Sequence, residues 1–168
     1  MKKNSIAWSI SIGGILTTIT VLLQSAPVFL PAIGLALSPF STLPVAIASV
    51  FNITLGLAVL FLSSIILITF NIQEAIILLF TTGLLGIFIG MFLYRKSMLK
   101  SILISSIALS LGIMCLTYII QLSAFIDFTS SWSIPLSFII FFLFSLVYSS
   151  IWNICIKKFI NYLIKINF

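Results

Sequence analysis

Apolar residues run along this chain in helix-length blocks, and the few polar or proline-bearing interruptions between them define its elements. A helix needs about 20 apolar residues to cross the hydrocarbon core of a bilayer. The blocks over 6–23, 45–70, 75–94, 101–122 and 134–156 approach or exceed that length. Between the first two lies QSAPVFLPAIGLALSPFSTLP, Gln24 to Pro44, which carries Pro27, Pro31, Pro39 and Pro44. Proline lacks a backbone donor and disfavours helix in the residue before it, so each one marks a boundary or a kink. In hydrocarbon, broken backbone is tolerated only where protein or a water-filled cavity satisfies the freed groups. The stretch therefore reads either as a short kinked span over about 26–42 or as a re-entrant piece lining a cavity. Function is expected beside it.

Composition fixes the class. The chain is 62% hydrophobic and 6% charged, with mean hydropathy +1.39, more apolar surface than a water-soluble fold of 168 residues can hide. The expectation is one all-α, polytopic membrane helix bundle spanning residues 1–168. The net charge of +6 does not point to nucleic acid, because Lys2, Lys3, Arg95, Lys96, Lys100, Lys157, Lys158 and Lys165 all flank apolar blocks, as topological signals do. Residues 157–168 mix three lysines with apolar side chains and read as a basic interfacial tail. No small-residue cleavage site follows the first block, which reads as a retained helix.

Topology follows by parity. If the N-terminus, the Arg95–Lys100 loop and the tail all lie in the cytoplasm, an even number of crossings separates Gln24 from Glu74. Two crossings give six transmembrane helices with both termini cytoplasmic, in what reads as a bacterial plasma membrane. The 26–42 span is then the short, proline-broken one, and Gln24, Glu74, Asp127 and Trp132 share the outer face.

Small residues recur at three- and four-residue steps on several blocks. Ser9, Gly13 and Thr17 line one side of the first, and Gly83, Gly86 and Gly90 one side of the 75–94 block, in TTGLLGIFIG. Such spacing permits close helix packing, either within the bundle or against a partner protein. Asn52, in the middle of the 45–70 block, is expected to face protein, because an amide in hydrocarbon needs a hydrogen-bond partner. The two cysteines, Cys115 and Cys155, read as buried free thiols.

The chemistry available is narrow. Without histidine no Ser–His dyad can form, and two acids with two separated thiols are too few for a zinc or di-metal centre. No catalytic residue, metal or cofactor is expected, and enzyme activity is not. Binding remains. Asn71, Gln73 and Glu74 form the most polar patch before the basic loop; it reads as a helix cap, with Asn71 capping and Glu74 at the third position, or as the rim of a ligand cavity opened by the proline-rich stretch. Gln24, Phe29, Asn71, Gln73 and Glu74, with Asp127 and Trp132 from the last outer loop, are the candidate ligand-binding residues. Trp132 also suits an aromatic belt.

The segments SISIGGILTTIT, VFLPAIGLALSPFSTLPVAIAS and TTGLLGIFIGMFLYRK give an architecture that resembles the S components of energy-coupling-factor vitamin transporters. The resemblance implies a solute-binding subunit with an outward-opening pocket, served by a separate transmembrane coupling subunit and ATPases. In that family the first helix shows an A-x-x-x-A docking pattern; here Ser9-x-x-x-Gly13 and Gly13-x-x-x-Thr17 stand in its place. Since both acids and no basic residue fall on the expected outer face, a neutral or cationic ligand fits better than an anion. The alternative is a non-transporting interaction, accessory or immunity protein that meets another membrane protein through its small-residue faces.

Overall fold

The computed structural model describes residues 6–93, 98–120 and 134–166; the side chains of Ile134 and of 163–166 are outside the description. The described chain is all-α. α1 (Ile6–Phe29) is followed by α2 (Pro31–Leu37), a 3-10 turn (Ser38–Ser41), α3 (Thr42–Phe51) and α4 (Ile53–Ile68). α5 (Ile72–Ile77), a π turn (Leu78–Thr82) and α6 (Gly83–Phe92) form one rod; α7 (Met98–Met114) runs into a second π turn (Cys115–Ile119), and α8 (Ile134–Ile166) ends the fold. Among the described residues, five stretches, 6–29, 31–51, 72–92, 98–119 and 135–162, are long and apolar enough to cross a membrane.

The prolines act differently from the expected single broken span. Pro27 lies inside α1, two residues before its end, and the chain turns at Leu30 (φ −134°, ψ 79°). Pro31 then opens α2, where its missing N–H would have had no helical partner. Pro39 and Pro44 likewise sit in the first turns of the 3-10 segment and of α3. The rod from Pro31 to Phe51 is thus continuous enough to cross. The next break falls at Asn52, with extended backbone (φ −157°, ψ 133°), and not between 42 and 45. The expected 26–42 and 45–70 blocks are therefore replaced by 31–51 and 53–68. Asn52 itself is exposed and caps α4, its Oδ1 accepting from the Thr54 N–H at 3.1 Å, so the expectation that it faces protein is also corrected.

α3 is the central element. Its Val45 and Ala48 join Val59, Leu60, Leu67 and Leu78 in one core, while its Ala46 joins Leu85, Ile89, Leu109 and Ile156 in another. α3 packs on α4 and α6, α6 on α7, and α7 on α8; α1 lies outside, against α2 and α4. Close approach sets this arrangement. A Cβ on Gly86 would stand 2.8 Å from the Thr42 carbonyl oxygen, and one on Gly90 would stand 2.6 Å from that of Ala46. The basic tail is helical through Ile166 and continuous with α8, whose Ile156 and Ile160 are buried. Cys115 is partly buried and Cys155 exposed, which corrects the expectation of two buried thiols.

Candidate functional site

Gln24 is the polar centre of the bundle. It stands on the inward face of α1 and is fully buried, so both ends of its amide must be satisfied by protein. They are. Its Nε2 donates to Glu74 Oε2 at 2.8 Å, and its Oε1 accepts from Ser41 Oγ at 2.8 Å and from Thr82 Oγ1 at 3.2 Å. One side chain thereby ties α1 to the 3-10 turn, to the start of α5 and to the end of the π turn. A π turn adds a residue to the helical register, turning side chains beyond it by about one position, roughly 100°. Thr82 faces Gln24, while Thr81 donates back to the Ile77 carbonyl at 2.6 Å.

Glu74 reaches Gln24 because the capping box does not close. Asn71 caps α5 as expected, its Oδ1 accepting from the Gln73 N–H at 2.8 Å. The Asn71 N–H, however, donates to the Leu67 carbonyl at 2.8 Å, so the hydrogen-bond donor that Glu74 would take in a capping box is already used. Gln73 is exposed. Phe29 is exposed too and meets Phe70 edge to face, ring centres 6.3 Å apart, at the same end of the bundle. Asp127 and Trp132 lie outside the described residues. Of the expected ligand residues, then, the fold joins Gln24 to Glu74, uses Asn71 for capping, and leaves Phe29 and Gln73 at the rim. Ser41 and Thr82 were not legible as Gln24 partners; their only signal was a hydroxyl within an apolar run.

The expected partner-docking residues divide into two groups. Gly83, Gly86 and Gly90 are buried against α4 and α3 of the same chain, which corrects the expectation that they form a partner face. Ser9, Gly13 and Thr17 behave otherwise. They line a groove of about 510 Å³ between α1 and α4, with Gly14, Asn52 and Ala58 among the other lining residues. Its size falls within the range of about 300–1,000 Å³ typical of small-molecule sites. α1 and α4 run side by side in the same direction, as the Trp8–Phe51 and Phe29–Phe70 ring pairs at their two ends require.

A second polar seam joins α7 to α8. Asn153, fully buried, accepts from Ser101 Oγ at 2.7 Å and donates to the Ser149 carbonyl at 2.9 Å, with Ser105 Oγ at 3.4 Å. The hydroxyls of Ser105 and Ser149 are bonded to each other, and Ser106 Oγ donates to the Ser145 carbonyl at 3.3 Å. These groups satisfy one another across the helix pair, so the seam fastens the bundle.

What the arrangement can do follows from which groups remain available. Gln24 is buried with its amide bonded inside the cluster and Glu74 half-buried at the cluster's edge, whereas the α1–α4 groove is open and floored by small residues. Comparison of the chain with protein-family models, with curated proteins and with solved structures finds no match.

Proposed function

We propose that this chain is a non-catalytic, multi-pass protein of the bacterial cell membrane that receives a transmembrane helix of another protein in its α1–α4 groove. One observation carries the reading. Among the described residues, Gly14 alone of the eight glycines has nothing within 4 Å of where a Cβ would stand; each of the other seven lies against the chain's own atoms. Glycine inside a helix costs about 1 kcal/mol relative to alanine, and the chain's own packing offers no return for it at Gly14. Close approach of a foreign helix backbone does, as in small-xxx-small pairing. A flexible lipid chain needs no such cleft.

In this reading the chain crosses six times, with α4 as the shortest crossing. Its 16 residues reach about 24 Å at 1.5 Å each. The basic residues gather at the cytoplasmic end, with both termini and the Asn52 turn, and the Gln24–Glu74 cluster lies toward the outer face. A solute-binding role of the S-component kind rests on the same α1 face, since that resemblance also sets the first helix against a coupling subunit. A neutral or cationic solute would then have to take over the hydrogen bonds that Gln24 and Glu74 now make within the cluster.

The test is affinity purification of the full chain from its host's membranes in mild detergent, read by native mass spectrometry. A second membrane protein is expected with the wild type and at least tenfold less of it with Gly14→Trp, while the thermal melt is unchanged. Equal retention by the variant overturns the reading. A small molecule bound one-to-one with no partner helix supports the solute binder in its place.

A further inference from the structure

A second groove, of about 360 Å³, runs between α1, α3 and α8 on a different part of α1, with Leu16, Ile19, Leu43, Ile47 and Phe159 in its walls. Every residue lining it is apolar, so it offers no hydrogen bond to a polar solute. Ile19, Phe40 and Phe159 are each 40–50% exposed, so the groove opens sideways from the bundle. In a membrane that opening faces hydrocarbon.

One end of the groove has a different character. Phe159 follows directly on Lys157 and Lys158, and Lys158 and Tyr162 are both exposed. Residues four apart share a helix face, so Lys158 and Tyr162 stand together beside Phe159. α8 has 33 residues and extends about 50 Å, well beyond the roughly 30 Å of a hydrocarbon core. The surplus carries this turn to the polar boundary, where tyrosine collects and a lysine head reaches water. The hydrocarbon-lined slot thus ends at an ammonium and a phenol.

The matching molecule has a long apolar chain and an anionic head. We propose that this groove seats one acyl chain of an anionic phospholipid, with the headgroup against Lys158 and Tyr162. A partner helix is a poorer occupant, because the walls are leucine, isoleucine, phenylalanine and proline, with no small residue to admit a backbone. The inference is independent of helix docking at the α1–α4 groove.

Delipidated full-length protein titrated with phosphatidylglycerol or with phosphatidylcholine in mild detergent, and read by native mass spectrometry, tests it. One phosphatidylglycerol is expected to be retained in preference to phosphatidylcholine. Lys158→Gln should weaken phosphatidylglycerol about fivefold, the factor carried by one lysine at an anionic surface, and leave phosphatidylcholine unchanged. Ile19→Trp, which fills the groove, should weaken both. Lys158 is exposed, so its variant keeps the fold and decides the matter even where the tryptophan variant does not. Equal retention of the two lipids, indifference to Lys158→Gln, or a second copy of the chain in place of lipid would each overturn the proposal.

Discussion

Replacing Gln24 by leucine keeps the side chain near its size and removes three hydrogen bonds at once, those to Glu74, Ser41 and Thr82. Side-chain hydrogen bonds between membrane helices average about 0.6 kcal/mol each and reach about 1.7. The three losses are unequal. Ser41 and Thr82 lie on helical turns, where a hydroxyl can fall back on a carbonyl of its own helix. Thr20 does so onto Leu16 at 2.8 Å, and Thr81 onto Ile77 at 2.6 Å. Their share is therefore small, about 0.5 kcal/mol each. Glu74 has no such recourse, and losing a donor from an acidic group costs about 1.5–3 kcal/mol. The expected destabilisation is about 2.5–4 kcal/mol, most of it from Glu74. Equilibrium unfolding in mixed dodecyl maltoside and dodecyl sulfate micelles, followed by far-ultraviolet circular dichroism, measures it. In a Glu74→Met background the same change should cost only about 1 kcal/mol, because the partner left stranded is already gone. A loss below about 0.5 kcal/mol, or an equal loss in both backgrounds, would refute the reasoning.

Three further outcomes are expected. Gly90→Ala should destabilise by about 1–3 kcal/mol, since its Cβ would fall 2.5 Å from that of Ser49 and push α3 from α6; Gly14→Ala should be neutral or gain up to about 1 kcal/mol. Thermal melting of the pair reads this contrast, and equal losses would sink it. Asn153→Leu should cost about 1–2 kcal/mol in the same micelle titration, whereas Ser110→Ala, whose hydroxyl among the described residues bonds only to Ile107 of its own helix, should cost less than about 0.5. Finally, with Cys115 and Cys155 changed to serine, an impermeant maleimide on intact cells should label Gln73→Cys and spare Asn52→Cys; the reverse pattern inverts the topology.

The Asn71 cap was legible because capping is local: an amide side chain before an apolar run meets an N–H two residues on, whatever the rest of the chain does. The break at Asn52 was not. Prolines drew attention to 27–44, but proline marks only a missing donor, and Pro31, Pro39 and Pro44 occupy first turns where that donor is spare. The polar residue that ends a helix and the one that faces protein look alike in an apolar run. Asn52 proved to be the first kind and Gln24 the second.

The glycines make the same division. Three- and four-residue spacing of small residues on two helices announces two close-packing faces, yet spacing is silent about whose backbone arrives. Gly83, Gly86 and Gly90 meet α3 and α4 of their own chain, while Ser9, Gly13, Gly14 and Thr17 border an open groove. The helical class and its apolar runs could thus be read residue by residue, because chain-wide hydropathy and local capping depend on neighbours in sequence. The convergence of Gln24, Ser41, Glu74 and Thr82, and the absence of any described residue over Gly14, emerge in the folded bundle. In a chain apolar on nearly every helix face, hydropathy carries no inward direction, and contacts between residues 17 to 58 positions apart rest on packing alone.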